Sequence, residues 1–190
     1  EQPRNTARLI KLNTNENPYP PGTKVQEALA GAGCDQLRLY PDPDTTALVE
    51  AAAQVYGVKS SQVLPGNGSD ELLAFCFQAF GENGVCFPDI SYGFYQVWAG
   101  LYGDNFTTIP LRENLQIAVD DYAGQQGTVI IANPNAPTGL ALPLADIKRL
   151  LAQDPNRLVI VDEAYVDFNE ENALGLLAEY ENLLIIRTLS

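Results

Sequence analysis

The chain has 190 residues, with 11 Lys+Arg against 24 Asp+Glu and neither histidine nor methionine. A net charge of −13 argues against a nucleic-acid surface, which needs clustered cations to displace counterions. The missing imidazole excludes Ser-His-Asp, Cys-His and His-ligated metal chemistry within these residues.

At 46% apolar and 18% charged residues, the composition is that of a globular chain able to bury about 70% of its unfolded surface. Lacking methionine, the sequence is expected to be a processed chain or a fragment. Residues 1–23 carry Asn13, Asn15, Asn17, Pro18, Pro20 and Pro21 and read as a polar arm. A short helix is expected over 24–30, closed by Gly31 and Gly33. Leu37–Pro43 reads as extended, because a residue before proline is pushed out of the α region. Thr45 or Thr46 is expected to cap a helix running to Tyr56, stopped by Gly57.

From Val63 onward strands and helices alternate. Strands are expected at Val63–Leu64, Val85–Phe87, Phe106–Pro110, Thr128–Ala132, Leu158–Val161 and Leu183–Arg187. Between them the pattern predicts helices over Asp70–Phe80, Tyr92–Tyr102, Pro143–Ala152 and Leu174–Glu179. The order predicts an α/β fold, a mostly parallel sheet with helices on both faces. Thr-Val-Ile-Ile-Ala at 128–132 has the continuous apolar character of a strand covered on both sides. Three cysteines, Cys34, Cys76 and Cys86, form no C-x-x-C pair and read as free buried thiols of a reducing compartment. No apolar run reaches membrane-span length and the start has no signal-peptide pattern, so a cytoplasmic location is expected.

Ligands of such sheets bind at the carboxyl ends of the strands. Gly66-Asn67-Gly68-Ser69-Asp70-Glu71 enters a helix there, and its amides read either as an anion site or as a plain capping turn. Asp162 falls just beyond an apolar strand. It reads as a magnesium acid, as the partner of a protonated heteroaromatic nitrogen, or as an ordinary strand-end acid. The magnesium reading needs a G-x-x-x-x-G-K-[ST] loop, and no lysine here has that glycine frame. Asn133–Gly139 is a rigid loop with amide donors, and Tyr92 is an aromatic that either stacks on a planar ring or joins the core.

Taken in order, these segments resemble the fold-type I pyridoxal-phosphate aminotransferases, most closely their histidinol-phosphate branch. The resemblance is carried by Leu12–Pro18, Tyr40-Pro41-Asp42, Gly66–Glu71, Ser91–Tyr95, Asn133–Gly139, Asp162–Phe168 and Arg187–Ser190. It implies that pyridoxal 5'-phosphate is the cofactor. The Ser69 and Asp70 amides with Thr188 and Ser190 would hold its phosphate, and Tyr92 would stack on the ring. Asp162 would pair with the ring nitrogen, while Tyr165 and Asn135 would reach the phenolic oxygen. Asp162 and Tyr165 are the implied catalytic groups. Tyr40 would serve the partner subunit of a homodimer, and Asn15, Asn17 and Tyr19 would line the substrate. No metal is implied. Residues 1–44 then form an arm with a small-domain and dimer-contact segment, and 45–190 the first part of the cofactor-binding large domain. The family's cofactor-bearing lysine is expected directly after Ser190.

The implied reaction moves an amino group between histidinol phosphate and 2-oxoglutarate. Other enzymes with the same cradle, such as aromatic aminotransferases or threonine-phosphate decarboxylases, and a non-catalytic phosphate-binding domain remain as alternatives. The resemblance departs at Ala136, where the family often has asparagine.

Overall fold

The structure, a computed structural model, describes residues 10, 11 and 13–190, with the side chains of Cys34 and Gln36 left aside. Leu12 of the arm motif, residues 1–9 of the arm and the Cys34 thiol therefore lie outside the described residues. The chain divides into two units, Glu1–Thr46 and Ala47–Ser190.

In the first unit, α1 (Thr23–Gly31) has no buried residue, and its Val25 and Leu29 are exposed. A 3-10 turn follows at Cys34–Arg38, so Leu37 and Arg38, expected to be extended, are instead helical, and Pro43 lies in a turn. The carboxylate of Asp42 accepts the backbone N–H groups of Asp44 and Thr46, at 3.1 and 2.9 Å. It therefore caps α2 (Thr46–Tyr56) in place of the expected threonine; Thr45 instead turns the chain with φ 46°.

The second unit is built on five strands. They are β1 (Val85–Pro88), β2 (Phe106–Ile109), β3 (Thr128–Ala132), β4 (Val159–Asp162) and β5 (Leu183–Ile186). The sheet order is β2-β1-β3-β4-β5 and every pairing is parallel. Strand pleating sends alternate residues to opposite faces, and the core splits accordingly. Ile130, Ala132, Ile160 and Ile186 pack with Leu73 and Phe77 of α3 (Ser69–Phe80) and Tyr95 and Ala99 of α4 (Phe94–Tyr102). Val129, Ile131, Val159 and Val161 pack with Ile147, Leu150 and Leu151 of α5 (Leu144–Ala152). Each large aliphatic side chain buried this way contributes about 1.5–3 kcal/mol of transfer free energy.

Three further expectations change in the second unit. Val63-Leu64 is not a strand: Val63 has extended dihedrals, but no strand pairs with it among the described residues. A ladder partner, not local preference, makes a strand. Leu174–Ala178 is a 3-10 turn instead of an α-helix, as suits a five-residue stretch with Gly175 inside it. Tyr92 lies just before α4 instead of in its first turn, which leaves it in the loop above β1. Cys76 and Cys86 are free and buried, as expected, and burial raises both thiol pKa values to about 11.

Chain direction and strand order together place the ligand edge. From β1 the chain moves outward to β2, then returns to β3 on the other side of β1. The loops after β1 and β3 thus diverge, which opens a crevice between their carboxyl ends. Ala132, Asp162 and Ile186 stand in one row of the register, so the loops after β3, β4 and β5 leave at one level.

Candidate active site

The loops on either side of the crevice are tied by Asn135, which is buried. Its amide donates to the Ile90 carbonyl at 2.9 Å and to Thr138 Oγ1 at 3.2 Å, while its oxygen accepts from Ser91 Oγ at 2.8 Å. The Ile90 and Ser91 bonds run between the loops, whereas the Thr138 bond braces Asn135 within its own loop. Asn133, also buried, exchanges two hydrogen bonds with the backbone of Leu142.

Asp162 is the last residue of β4, two beyond Ile160, and the pleat aims it at the α4 face. It is 5% exposed. Its Oδ2 accepts the Tyr95 hydroxyl at 2.8 Å and its Oδ1 accepts the Ala164 N–H at 3.1 Å. Burial pushes its pKa up from 3.8; the two donors pull it down, and the charges of Asp70 and Glu163 push it up further. Among the described residues it has no cationic partner. A carboxylate buried without a cation costs free energy unless a positive group arrives from outside the fold.

Tyr92 is half-buried, and its hydroxyl donates to Asp70 Oδ1 at 2.9 Å. Burial first, and then the Asp70 contact, raise its pKa to about 12, with Asp162 and Tyr165 adding to the effect. Asp70, Tyr92, Tyr95, Asp162 and Tyr165 therefore share one electrostatic neighbourhood at the strand ends.

Gly68, with φ 84°, precedes the first residue of α3, and no side chain caps the helix start. A side chain at Gly68 would be strained by that φ, whereas the space beside its Cα is open. The amides of Ser69 and Asp70 follow directly. Gly66, Gly68, Thr188 and Ser190 line one cleft of about 630 Å³. Within it the Thr188 and Ser190 hydroxyls lie 2.9 Å apart. A glycine turn that leads into uncapped amides and lines one cleft with two hydroxyls is a donor set suited to an anion.

Sequence reasoning missed two groups. Tyr95 carries no mark in the sequence as the partner of Asp162, although its place three residues after Tyr92 is a readable signal. Glu163, beside Asp162, is fully buried. It accepts the Ala173 N–H at 2.6 Å and pairs with Arg187 Nη2 at 2.6 Å. Asn15, Asn17, Tyr19 and Tyr40 all belong to the first unit. Tyr40 is 101% exposed, and Asn17 Oδ1 accepts the Tyr19 N–H at 3.0 Å. No group of three or more metal-ligating acids or thiols occurs among the described residues, and no described helix is long and apolar enough to cross a membrane.

A parallel sheet with a buried acid that has no cation among the described residues, and a glycine turn with uncapped amides at its carboxyl edge, has the architecture of the α/β class whose ligands sit at the strand ends. The chain belongs to the aminotransferase class I and II family, whose model matches residues 7–190. It is 52% identical over 192 residues to the histidinol-phosphate aminotransferase of Acetobacter pasteurianus, covering 100% of this chain and 54% of that protein. A crystal structure from Erwinia carotovora atroseptica SCRI1043, itself assigned only provisionally to histidinol-phosphate aminotransferase, superposes with a TM-score of 0.85 at 28% identity. That match covers 95% of this chain and 56% of the other. The histidinol-phosphate aminotransferase of Sinorhizobium meliloti, solved with pyridoxal-5'-phosphate, shares the fold with a TM-score of 0.84 at 23% identity, covering 93% and 51% of the two chains. The chain spans about half the length of the relatives it matches.

Proposed function

We propose that this chain is the cofactor-holding part of a pyridoxal-phosphate-dependent transaminase, one that moves an amino group between histidinol phosphate and 2-oxoglutarate. The observation that carries the proposal is Asp162, a buried strand-end carboxylate with hydrogen-bond donors but no cation. Identity of 52% along the whole chain supports the substrate assignment. Pyridoxal phosphate, when bound, supplies an electron sink for the α-carbon of an amino substrate.

The residues present fit such a group. Asp162 holds a proton at the ring nitrogen, because a carboxylate stabilises an adjacent ring cation in a site where water cannot. Tyr92 offers its ring as a stacking surface, steadied through its hydroxyl on Asp70. The Ser69 and Asp70 amides, with the Thr188 and Ser190 hydroxyls, receive the phosphate. Tyr165, half-buried in the same neighbourhood, serves the phenolic oxygen. Asn135 reaches that oxygen only if it gives up its 3.2 Å bond to Thr138. Tyr40 is assigned to the cofactor phosphate of a partner subunit, and Asn15, Asn17 and Tyr19 to the substrate. A cytoplasmic homodimer completes the proposal, with residues 1–44 as its arm and contact segment and 45–190 as part of the cofactor domain.

Incubating the complete protein with pyridoxal phosphate, histidinol phosphate and 2-oxoglutarate tests this reading. Glutamate formation that depends on all three is the expected result. Pyridoxal phosphate binding without glutamate formation overturns the substrate assignment, and absence of binding overturns the cofactor assignment.

A further inference from the structure

Tyr95 lies within the first turn of α4 and is 0% exposed. Its ring meets Tyr92 edge-on, with centroids 5.6 Å apart and planes at 82°, and Phe87 at 5.6 Å and 57°. Its hydroxyl donates to Asp162 Oδ2 at 2.8 Å. One side chain therefore touches both the carboxylate and the aromatic ring assigned to the cofactor. Burial, and the charge of Asp162 after it, push the Tyr95 pKa well up, so this hydroxyl stays a donor.

We propose that Tyr95 is a positioning residue: it holds Asp162 ionised and oriented so that the carboxylate pairs with the ring-nitrogen cation of bound pyridoxal phosphate. The proposal rests on the role of Asp162 given above. The physical need is plain in the geometry. Burial favours the neutral acid, which is a poor partner for a cation. Two donors oppose that tendency, the Ala164 N–H on Oδ1 and the Tyr95 hydroxyl on Oδ2. The Ala164 bond is made by the strand-end turn and cannot choose an orientation alone. Tyr95 fixes the second oxygen from the opposite element, across 67 residues of sequence.

A buried tyrosine hydroxyl that merely needs an acceptor would look similar in a static structure. Cofactor chemistry separates the two roles. The complete protein and its Tyr95→Phe variant are titrated with pyridoxal phosphate and with the analogue carrying C–H in place of the ring nitrogen. Tyr95→Phe keeps both ring contacts, and a melting curve verifies that it folds. The variant is expected to bind pyridoxal phosphate about tenfold more weakly, the scale of a lost hydrogen bond to a charged group, with unchanged affinity for the analogue. Equal weakening toward both ligands, or toward neither, overturns the proposal. In an Asp162→Asn background the expected effect of Tyr95→Phe on pyridoxal phosphate affinity vanishes; persistence of the full effect also overturns it. If the wild type binds the two ligands equally, the role of Asp162 itself fails, an outcome distinct from the failure of Tyr95 alone.

Discussion

Asp162 and Glu163 leave β4 side by side, and the pleat sends them to opposite faces of the sheet. Both are buried, yet their surroundings differ in kind. Glu163, on the α5 face, is closed by the Arg187 guanidinium and the Ala173 amide. Arg187 in turn lies over the Tyr56 ring, 4.9 Å from its centroid. Asp162, on the α4 face, has two neutral donors and no cation among the described residues. The fold completes the charge pairing of one acid and leaves the other to be completed from outside. A buried carboxylate whose needs the protein meets internally holds the structure together; one whose needs are half met marks a site.

Mutation separates the two acids. Glu163→Ala leaves Arg187, only 17% exposed in its side chain, without its partner. It is expected to destabilise the protein by about 3–5 kcal/mol, read from denaturant unfolding. A loss below about 1 kcal/mol would mean that water or another acceptor replaces Glu163. Asp162→Ala is expected to spare the fold while lowering transamination about 10²–10³-fold, the scale of removing one preorganised electrostatic partner. Turnover near that of the wild type would remove Asp162 from the chemistry.

Asp162 should also cost the cofactor-free protein stability. Its folded pKa lies above the ordinary 3.8, so folding favours the proton. The benefit is present below the ordinary aspartate pKa and is lost as pH rises through the folded value. At neutral pH, Asp162→Asn is therefore expected to raise the melting temperature of the cofactor-free protein by about 2–4 °C, a gain of about 1 kcal/mol. That gain should disappear in acid. A melting point lower at neutral pH than at acid pH relative to wild type would reverse the sign. By contrast, Arg112→Ala removes an exposed ion pair with Asp121 and is expected to change stability by less than about 1 kcal/mol.

The same contrast shows what the sequence could and could not disclose. The strand Thr128–Ala132 was readable to the residue, because a run buried on both faces has no polar position to blur it. The strand-end position of Asp162 and the glycine turn before α3 were readable for the same local reason. Val63-Leu64 has strand-forming residues and extended dihedrals, but pairing is decided elsewhere in the chain, and no partner is present among the described residues. The partners of Asp162 and Glu163 depend on the same non-local facts. Tyr95 reaches Asp162 only because α4 packs on the face to which the β4 pleat points. Arg187 reaches Glu163 only because β5 pairs in register with β4. Asn135 reads as a donor free for a ligand, while the fold uses one amide proton on the Ile90 carbonyl across the loops and the other on Thr138 within its own loop.

The most direct test of the central claim is nitrogen NMR of the complete protein loaded with pyridoxal phosphate carrying the heavy isotope in its ring. At mildly alkaline pH, the account predicts a protonated ring nitrogen in the wild type and an unprotonated one in Asp162→Asn. An unprotonated ring nitrogen in the wild type, or a protonated one that persists in Asp162→Asn, would contradict it.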